Sequence, residues 1–244
     1  MNDTSVLAAC RRGGGLPEDE VHIWEVDLDC PPERSPALLD CLSQDERARA
    51  QRFRFDRDRD RFVAARVALR EILGRCIGLP AHEIVFEYGP YGKPALESPA
   101  GAGVEFNVSH CEGLALIAVA AGRRVGVDLE RIVSGASRQR IAERFFSPAE
   151  IAALRALPAA SQDEAFFACW TRKEAYIKAR GEGLSIPLDE FSVSLAPGEP
   201  AALLDCSFAE DEVRNWSLQS LAPAPGFVAA LAVEGRDWRL REGR

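Results

Sequence analysis

The chain has 244 residues, a formal net charge of −8, 47% hydrophobic and 28% charged residues. That length carries one large domain or two small ones with a real core, and the composition excludes a disordered or fibrous chain. The acidic balance argues against generic attraction to nucleic acid or an anionic membrane. No apolar run reaches membrane-span length, and seven scattered cysteines without a CxxC pair indicate a reducing, cytoplasmic setting rather than a zinc site or disulfide framework.

The first residues, MNDTSVLAACRRGGG, place LAAC before Cys10 in the outline of a lipoprotein cleavage site. No basic segment precedes it and the apolar stretch is too short, so the segment reads as a ragged N-terminus. A strand is expected over 21–28 (VHIWEVDL). A helix follows, opened by SQDE at 43–46 with capping-box spacing, and then a longer helix over about 58–78. Strand-like IVFEYG (84–89), a GPYGKP turn, VEFNVSH (104–110) and GLALIAVA (113–120) complete the first half.

The second half repeats the order. RVGVDLERI (124–132) is a strand, SPAE (147–150) opens a helix with Pro148 at its first position, and SQDE (161–164) opens a longer helix that ends at Gly181. FSVSL (191–195), WSLQSL (216–221) and GFVAALAV (226–233) are strand-like. The closing strands EGLALIAVAAG and PGFVAALAVEG resemble each other. The expected fold class is therefore α+β, with two pseudo-symmetric halves, 1–123 and 124–244, each an antiparallel sheet covered by helices. Ligands often bind where such halves meet.

Several residues in this plan can carry chemistry. Alternation on VGVDLERI puts Asp128 and Glu130 on one face and Val125, Val127 and Leu129 on the core face. Adjacent carboxylates repel and invite a hard divalent cation such as Mg²⁺, although a solvated outer strand face looks the same. In WTRKEAYIK (170–178), Trp170, Glu174 and Lys178 share a helix face. An exposed Glu–Lys pair at this spacing is a common stabiliser worth about 0.2–0.5 kcal/mol. Here, however, the face runs back through Trp170 to Phe166 and Phe167. Glu174 across from Asp128 and Glu130 would complete a metal site, with Lys178 one turn further to hold phosphate or protonate a leaving oxygen. Ser109 and His110 end a strand, where donors can meet an anion. Lys93 is presented on the YGKP turn. The stretch from Arg47 to Arg75 is rich in arginine, in part a solvated face of alternating charge and in part suited to a phosphate ligand.

Taken together and in this order, YGKP, FNVSH, VGVDLE, RFFSPAE and WTRKEAYIKARGEGLSIPLDEFSV resemble the 4′-phosphopantetheinyl transferase superfamily, in its long, surfactin-synthetase-activating type. The resemblance is clear over about 43–193. It implies transfer of phosphopantetheine from coenzyme A to a serine of an apo acyl, aryl or peptidyl carrier protein, with release of 3′,5′-ADP. It implies Mg²⁺ on Asp128, Glu130 and Glu174, with Glu174 as base for the serine and Lys178 balancing or protonating the leaving group. Asp128 and Lys178 would also border coenzyme A. Ser109, His110 and Lys93 would contact its phosphates, and Arg49 and Arg61 match positions that hold the 3′-phosphate. Phe62 departs from the small polar residue expected beside Arg61. Lys173 points away from the face of Glu174, and Trp170 is expected to anchor the helix by packing. A carrier would dock on 132–146, where Ile141 and Phe145 share a face among Arg138, Arg140 and Arg144, or that face is simply core. The protein is expected to be a cytoplasmic monomer that binds neither nucleic acid nor membrane. The alternatives are a non-catalytic coenzyme A-binding module and a Mg²⁺-dependent pyrophosphate hydrolase on the same fold.

Overall fold

The computed structural model describes residues 16–29, 40–97, 101, 103–135, 137–209 and 211–243. Cys10, Cys30 and the N-terminal LAAC segment lie outside them. Two sheets meet face to face at the centre, and one long helix backs each. The first sheet contains β1 (Glu20–Asp27), β4 (Val104–Cys111), β5 (Leu114–Ala121) and β11 (Arg239–Gly243), in the order β11-β1-β5-β4. The second has β6 (Val125–Arg131), β9 (Trp216–Leu221) and β10 (Phe227–Glu234), in the order β6-β10-β9. Two short hairpins complete the strands: β2 (Phe86–Tyr88) with β3 (Pro94–Leu96), and β7 (Phe191–Val193) with β8 (Leu203–Cys206).

Alternation sorts the side chains between layers. Val21, Ile23, Leu116 and Ala118 of the first sheet share a buried core with Val125, Val127, Leu129 and Leu231 of the second. The opposite face of the first sheet, through Trp24, Phe106 and Ile117, packs on Leu69 and Leu73 of helix α2 (Asp56–Ile77). The opposite face of the second sheet, through Trp216, Leu218, Ala230 and Ala232, packs on helix α5 (Ala159–Arg180). The layers run helix, sheet, sheet, helix.

Helices and antiparallel sheets combine as the α+β expectation requires. A short capped helix precedes each long one: α1 (Gln44–Ala50) behind Ser43, and α4 (Pro148–Ala156) behind Ser147, both with complete capping boxes. α3 (Ser137–Phe145) precedes α4, and α6 (Glu212–Asn215) precedes β9. Both long helices end on a left-handed glycine, Gly78 and Gly181.

Three details differ from the sequence expectation. SQDE at 161–164 does not open α5, which starts at Ala159 behind Pro158. Proline fixes the extended entry there, and the Ser161 N–H already bonds Pro158 O at 2.9 Å. β3, a strand not expected from the sequence, begins on the last residue of the GPYGKP turn, pairing Pro94 with Tyr88. The first sheet is not purely antiparallel, because β11 from the far end of the chain joins β1 in parallel.

Candidate active site

Asp128 and Glu130 lie on the face of β6 turned toward α5, as alternation requires. Gly126 precedes them on that face, and a Cβ there would overlap Ala175 O and Ala179 N. Its bare backbone lets strand and helix approach closely enough for Glu174 and Lys178 to stand beside the two strand carboxylates. Ser109 and His110, at the end of β4, close the cleft from the other half. Asp128, Glu130, Trp170, Glu174, Lys178 and Ser109 line this one open cleft, with His110 at its rim.

β4 reaches β6 by side chains rather than by a backbone ladder. Asn107 Oδ1 accepts from Val127 N at 2.9 Å, and Ser109 Oγ accepts from Leu129 N at 3.2 Å. Ser109 Oγ also donates to Asp128 Oδ1 at 3.0 Å. Lys178 Nζ bonds the same Oδ1 at 2.5 Å and reaches Ser109 Oγ at 3.2 Å. Asp128 is only 4% exposed, and its Oδ2 is buried with no partner among the described residues.

The electrostatics follow from crowding like charges. Burial, then the charges of Asp128 and Glu130, push the Glu174 carboxyl above its ordinary range, and Lys178 opposes them. Burial and the Asp128 charge raise Glu130 too, against Lys178 and a Trp170 hydrogen bond. Glu174 makes no hydrogen bond among the described residues. Partial enclosure, then Lys178 and Arg49, hold the His110 imidazole below its ordinary value, although the ring keeps solvent contact.

An orphaned buried carboxylate oxygen beside two destabilised carboxylates is a hard-oxygen donor set that fits Mg²⁺. Among the described residues, however, no three acidic, histidine or cysteine side chains stand close enough together to hold a metal ion as placed. The Lys178 ammonium supplies the positive charge on Asp128 instead.

The peripheral residues divide. Arg49 stacks over Phe62 at 5.1 Å and, among the described residues, has no carboxylate partner. Arg61 is held by Asp29 through two bonds, at 2.6 and 2.7 Å. Phe62, the departure noted in the sequence, thus braces Arg49. Lys93 was expected on the turn, near the phosphates. It does not line the cleft but donates to Ala179 O at 3.2 Å and Val125 O at 3.4 Å, at the C-terminal end of α5. Carbonyls left open at a helix end attract a cation more strongly than water-filled space does. Ile141 and Phe145 are half-buried against the core, with Phe145 edge-on to Trp170 at 5.8 Å, and Arg138 is paired with Asp163. Arg140 and Arg144 remain exposed on α3. Trp170 is more than an anchor, because it forms part of the cleft wall. Sequence reading passed over Asn107, although period-two spacing from Ser109 in FNVSH puts both on one face.

The superfamily model for 4′-phosphopantetheinyl transferases matches residues 124–232, and a model described as the N-terminal part of a 4′-phosphopantetheinyl transferase matches 31–122. The 4′-phosphopantetheinyl transferase HetI of Nostoc sp. is 42% identical over 225 residues, covering 92% of this chain and 92% of its own. The 4′-phosphopantetheinyl transferase Sfp of Bacillus subtilis is 33% identical over 219 residues, covering 88% of this chain and 93% of its own. The chain belongs to the 4′-phosphopantetheinyl transferase superfamily, a family of transferases. Among the described residues, no helix is long and apolar enough to cross a membrane.

Proposed function

We propose that this protein moves the 4′-phosphopantetheine arm of coenzyme A onto a serine of an apo carrier protein and releases adenosine 3′,5′-bisphosphate. The observation that carries this is the meeting of Asp128, Glu130, Glu174 and Lys178 with Ser109 and His110 in one cleft at the seam of the halves, in a chain of this family. The bond formed joins the serine oxygen to the phosphorus bearing pantetheine, and the bond broken is the pyrophosphate P–O bond. Glu174, with its raised proton affinity and no competing hydrogen bond, takes the serine proton. Lys178 swings from Asp128 to the leaving phosphate, balancing or protonating it. Ser109 and His110 hold phosphate oxygens, and Arg49, braced by Phe62 and without a carboxylate partner among the described residues, takes the 3′-phosphate. Arg61 joins it only on leaving Asp29. Asp128, Glu130 and Glu174 would hold Mg²⁺, which when bound supplies charge neutralisation for the pyrophosphate.

In this reading the N-terminal half, through residue 123, serves the nucleotide end, and the half from 124 supplies the cation ligands and the reacting helix. The protein is cytoplasmic, in keeping with the reduced thiols of Cys111, Cys169 and Cys206 among the described residues, and acts as a monomer. The carrier docks over α3, where Arg140 and Arg144 offer free positive charge to an acidic helical partner.

An intact-mass assay tests this. The protein is mixed with coenzyme A and apo carrier proteins of the fatty acid, polyketide and nonribosomal peptide types, with Mg²⁺ or with chelator. The expected result is a metal-dependent gain of one phosphopantetheine on at least one carrier. Arg140→Glu should raise KM for that carrier and not for coenzyme A. No gain on any carrier while coenzyme A still binds, or 3′,5′-ADP release without a carrier, overturns the transferase reading.

A further inference from the structure

Each half carries the same buried clasp. In the first, Glu46, the capping-box glutamate of α1, accepts from Arg70 Nε at 2.7 Å, and Arg70 Nη1 donates to Ala81 O at 3.0 Å and Ile84 O at 2.8 Å. In the second, Glu150, the capping-box glutamate of α4, meets Lys173 Nζ at 2.8 Å, and Lys173 donates to Leu188 O and Phe191 O, both at 2.6 Å. The correspondence is close. Each cation sits on the long helix, each reaches two carbonyls three residues apart around a 3-10 turn, and each is buried, Arg70 at 1% and Lys173 at 0% exposure.

What the clasps adjoin differs. Trp24 of β1 lies opposite Ile117 of β5, and Val26 opposite Ala115. At the equivalent places of the second sheet stand Asp128, opposite Ala230 of β10, and Glu130, opposite Val228. The strand carboxylates therefore exist in one half only. Lys173 immediately precedes Glu174, which lines the cleft, whereas Arg70 precedes Glu71, which pairs with Arg75 at 3.7 Å on the surface.

We infer that the Glu150–Lys173 clasp is a positioning device for Glu174 and Lys178, whereas its counterpart Glu46–Arg70 holds the fold alone. Lys173 ties one side of α5 to the α4 cap and to the turn before β7. Consecutive helix residues point about 100° apart, so a tie on Lys173 fixes the rotation that aims Glu174 and Lys178 at Asp128. Glu150 is itself fixed, because its Oε1 accepts from Val193 N at 2.7 Å and its Oε2 from Ser147 N at 2.8 Å. Removing the tie leaves the reacting groups in place chemically but loosens their aim, a loss that second-layer contacts commonly cost at about tenfold or more.

This inference rests on the proposed transferase reading, and the duplication supplies its control. Two full-length double variants are compared with wild type: Glu150→Gln with Lys173→Met, and Glu46→Gln with Arg70→Met. In each variant the glutamine oxygen keeps the capping-box bond to the serine N–H and gives up one further acceptance, from Val193 N in the first and from Arg66 in the second, so both variants lose one clasp cation and one carboxylate charge. Circular dichroism sets a temperature at which all are folded. Two readouts follow, kcat for carrier modification and the affinity for Mn²⁺ in the presence of coenzyme A. The expected result is a fall of about tenfold or more in both for the first variant, and less than about threefold in either for the second. Equal losses in the two variants, or no loss in either, overturn the inference. If the first variant does not fold, Lys173→Arg, which keeps the charge but displaces it from the two carbonyls, takes the same two measurements. A wild-type protein that transfers nothing overturns the transferase reading instead, and the Mn²⁺ affinities still decide the clasp.

Discussion

At the scale of single residues, Asp128 is the junction of the cleft. One oxygen holds Ser109 and Lys178, and the other is buried and unmet among the described residues. Asp128→Asn keeps the shape and removes the charge. It should lower kcat by about 10²–10³, the usual weight of a group stabilising charge in a reacting centre. Mg²⁺ should then no longer raise the thermal midpoint, as followed by calorimetry with and without the cation. A shift that survives the substitution would remove Asp128 from the cation site. Asp128, Glu130, Glu174 and Lys178 were legible in the sequence because strand and helix periods fix which side chains share a face. Lys93 was not. Where a turn lysine ends depends on which carbonyls the other half presents, and those of Ala179 and Val125 are distant in sequence. The bonding of Arg61 was equally hidden, since Asp29 lies on another element.

At the scale of elements, the capped helix pairs carry stability that responds to acid. Burial raises the Glu46 carboxyl, but Arg66, the Ser43 N–H and Arg70 outweigh it, so the folded value lies below the ordinary 4.5. A depressed carboxylate contributes stability above its unfolded value and loses it as pH falls through the folded one. Glu46→Gln should therefore cost about 3 kcal/mol near pH 7 and less with each step of pH below 4.5. Urea unfolding of both proteins at pH 7 and at about pH 3.5 checks this, since other titrating pairs cancel in the difference. A gap that is constant with pH would mean that the charge on Glu46 contributes nothing. Both capping boxes were readable as S-x-x-E spacing. Their second task, anchoring a cation on the next helix, was not, because the sequence does not say that an N3 glutamate is buried.

At the scale of the whole molecule, the two sheets share one core, with Val127 and Leu231 packed against Ile23 and Ala118. The repeated order of elements suggested a sheet and helices in each half, but neither the shared core nor β11 was legible in it. RLREG alternates little and carries mostly charge, so only the open edge of β1 makes it a strand. Ion pairs of Arg239 with Asp19 at 2.6 Å and Arg241 with Glu20 at 2.9 Å fix its register. Ending the chain after Trp238 should cost about 2–5 kcal/mol, roughly one for each ladder bond lost. It should also produce concentration-dependent association through the bared edge of β1. Urea midpoints and light scattering read the two effects. A truncated protein as stable and as monodisperse as the full chain would show that β11 is dispensable.

The union of β1 with β11 also sets a timetable for the ribosome. The first strand of the fold leaves the exit tunnel about 220 residues ahead of the partner that covers it, as the Arg239–Asp19 contact measures. At about 5–20 residues per second, that edge waits on the order of ten seconds or more in a nascent chain that can already assemble the rest of its first sheet. Synthesis rate, chaperone supply and any fusion placed after β11 therefore bear on yield before they bear on catalysis.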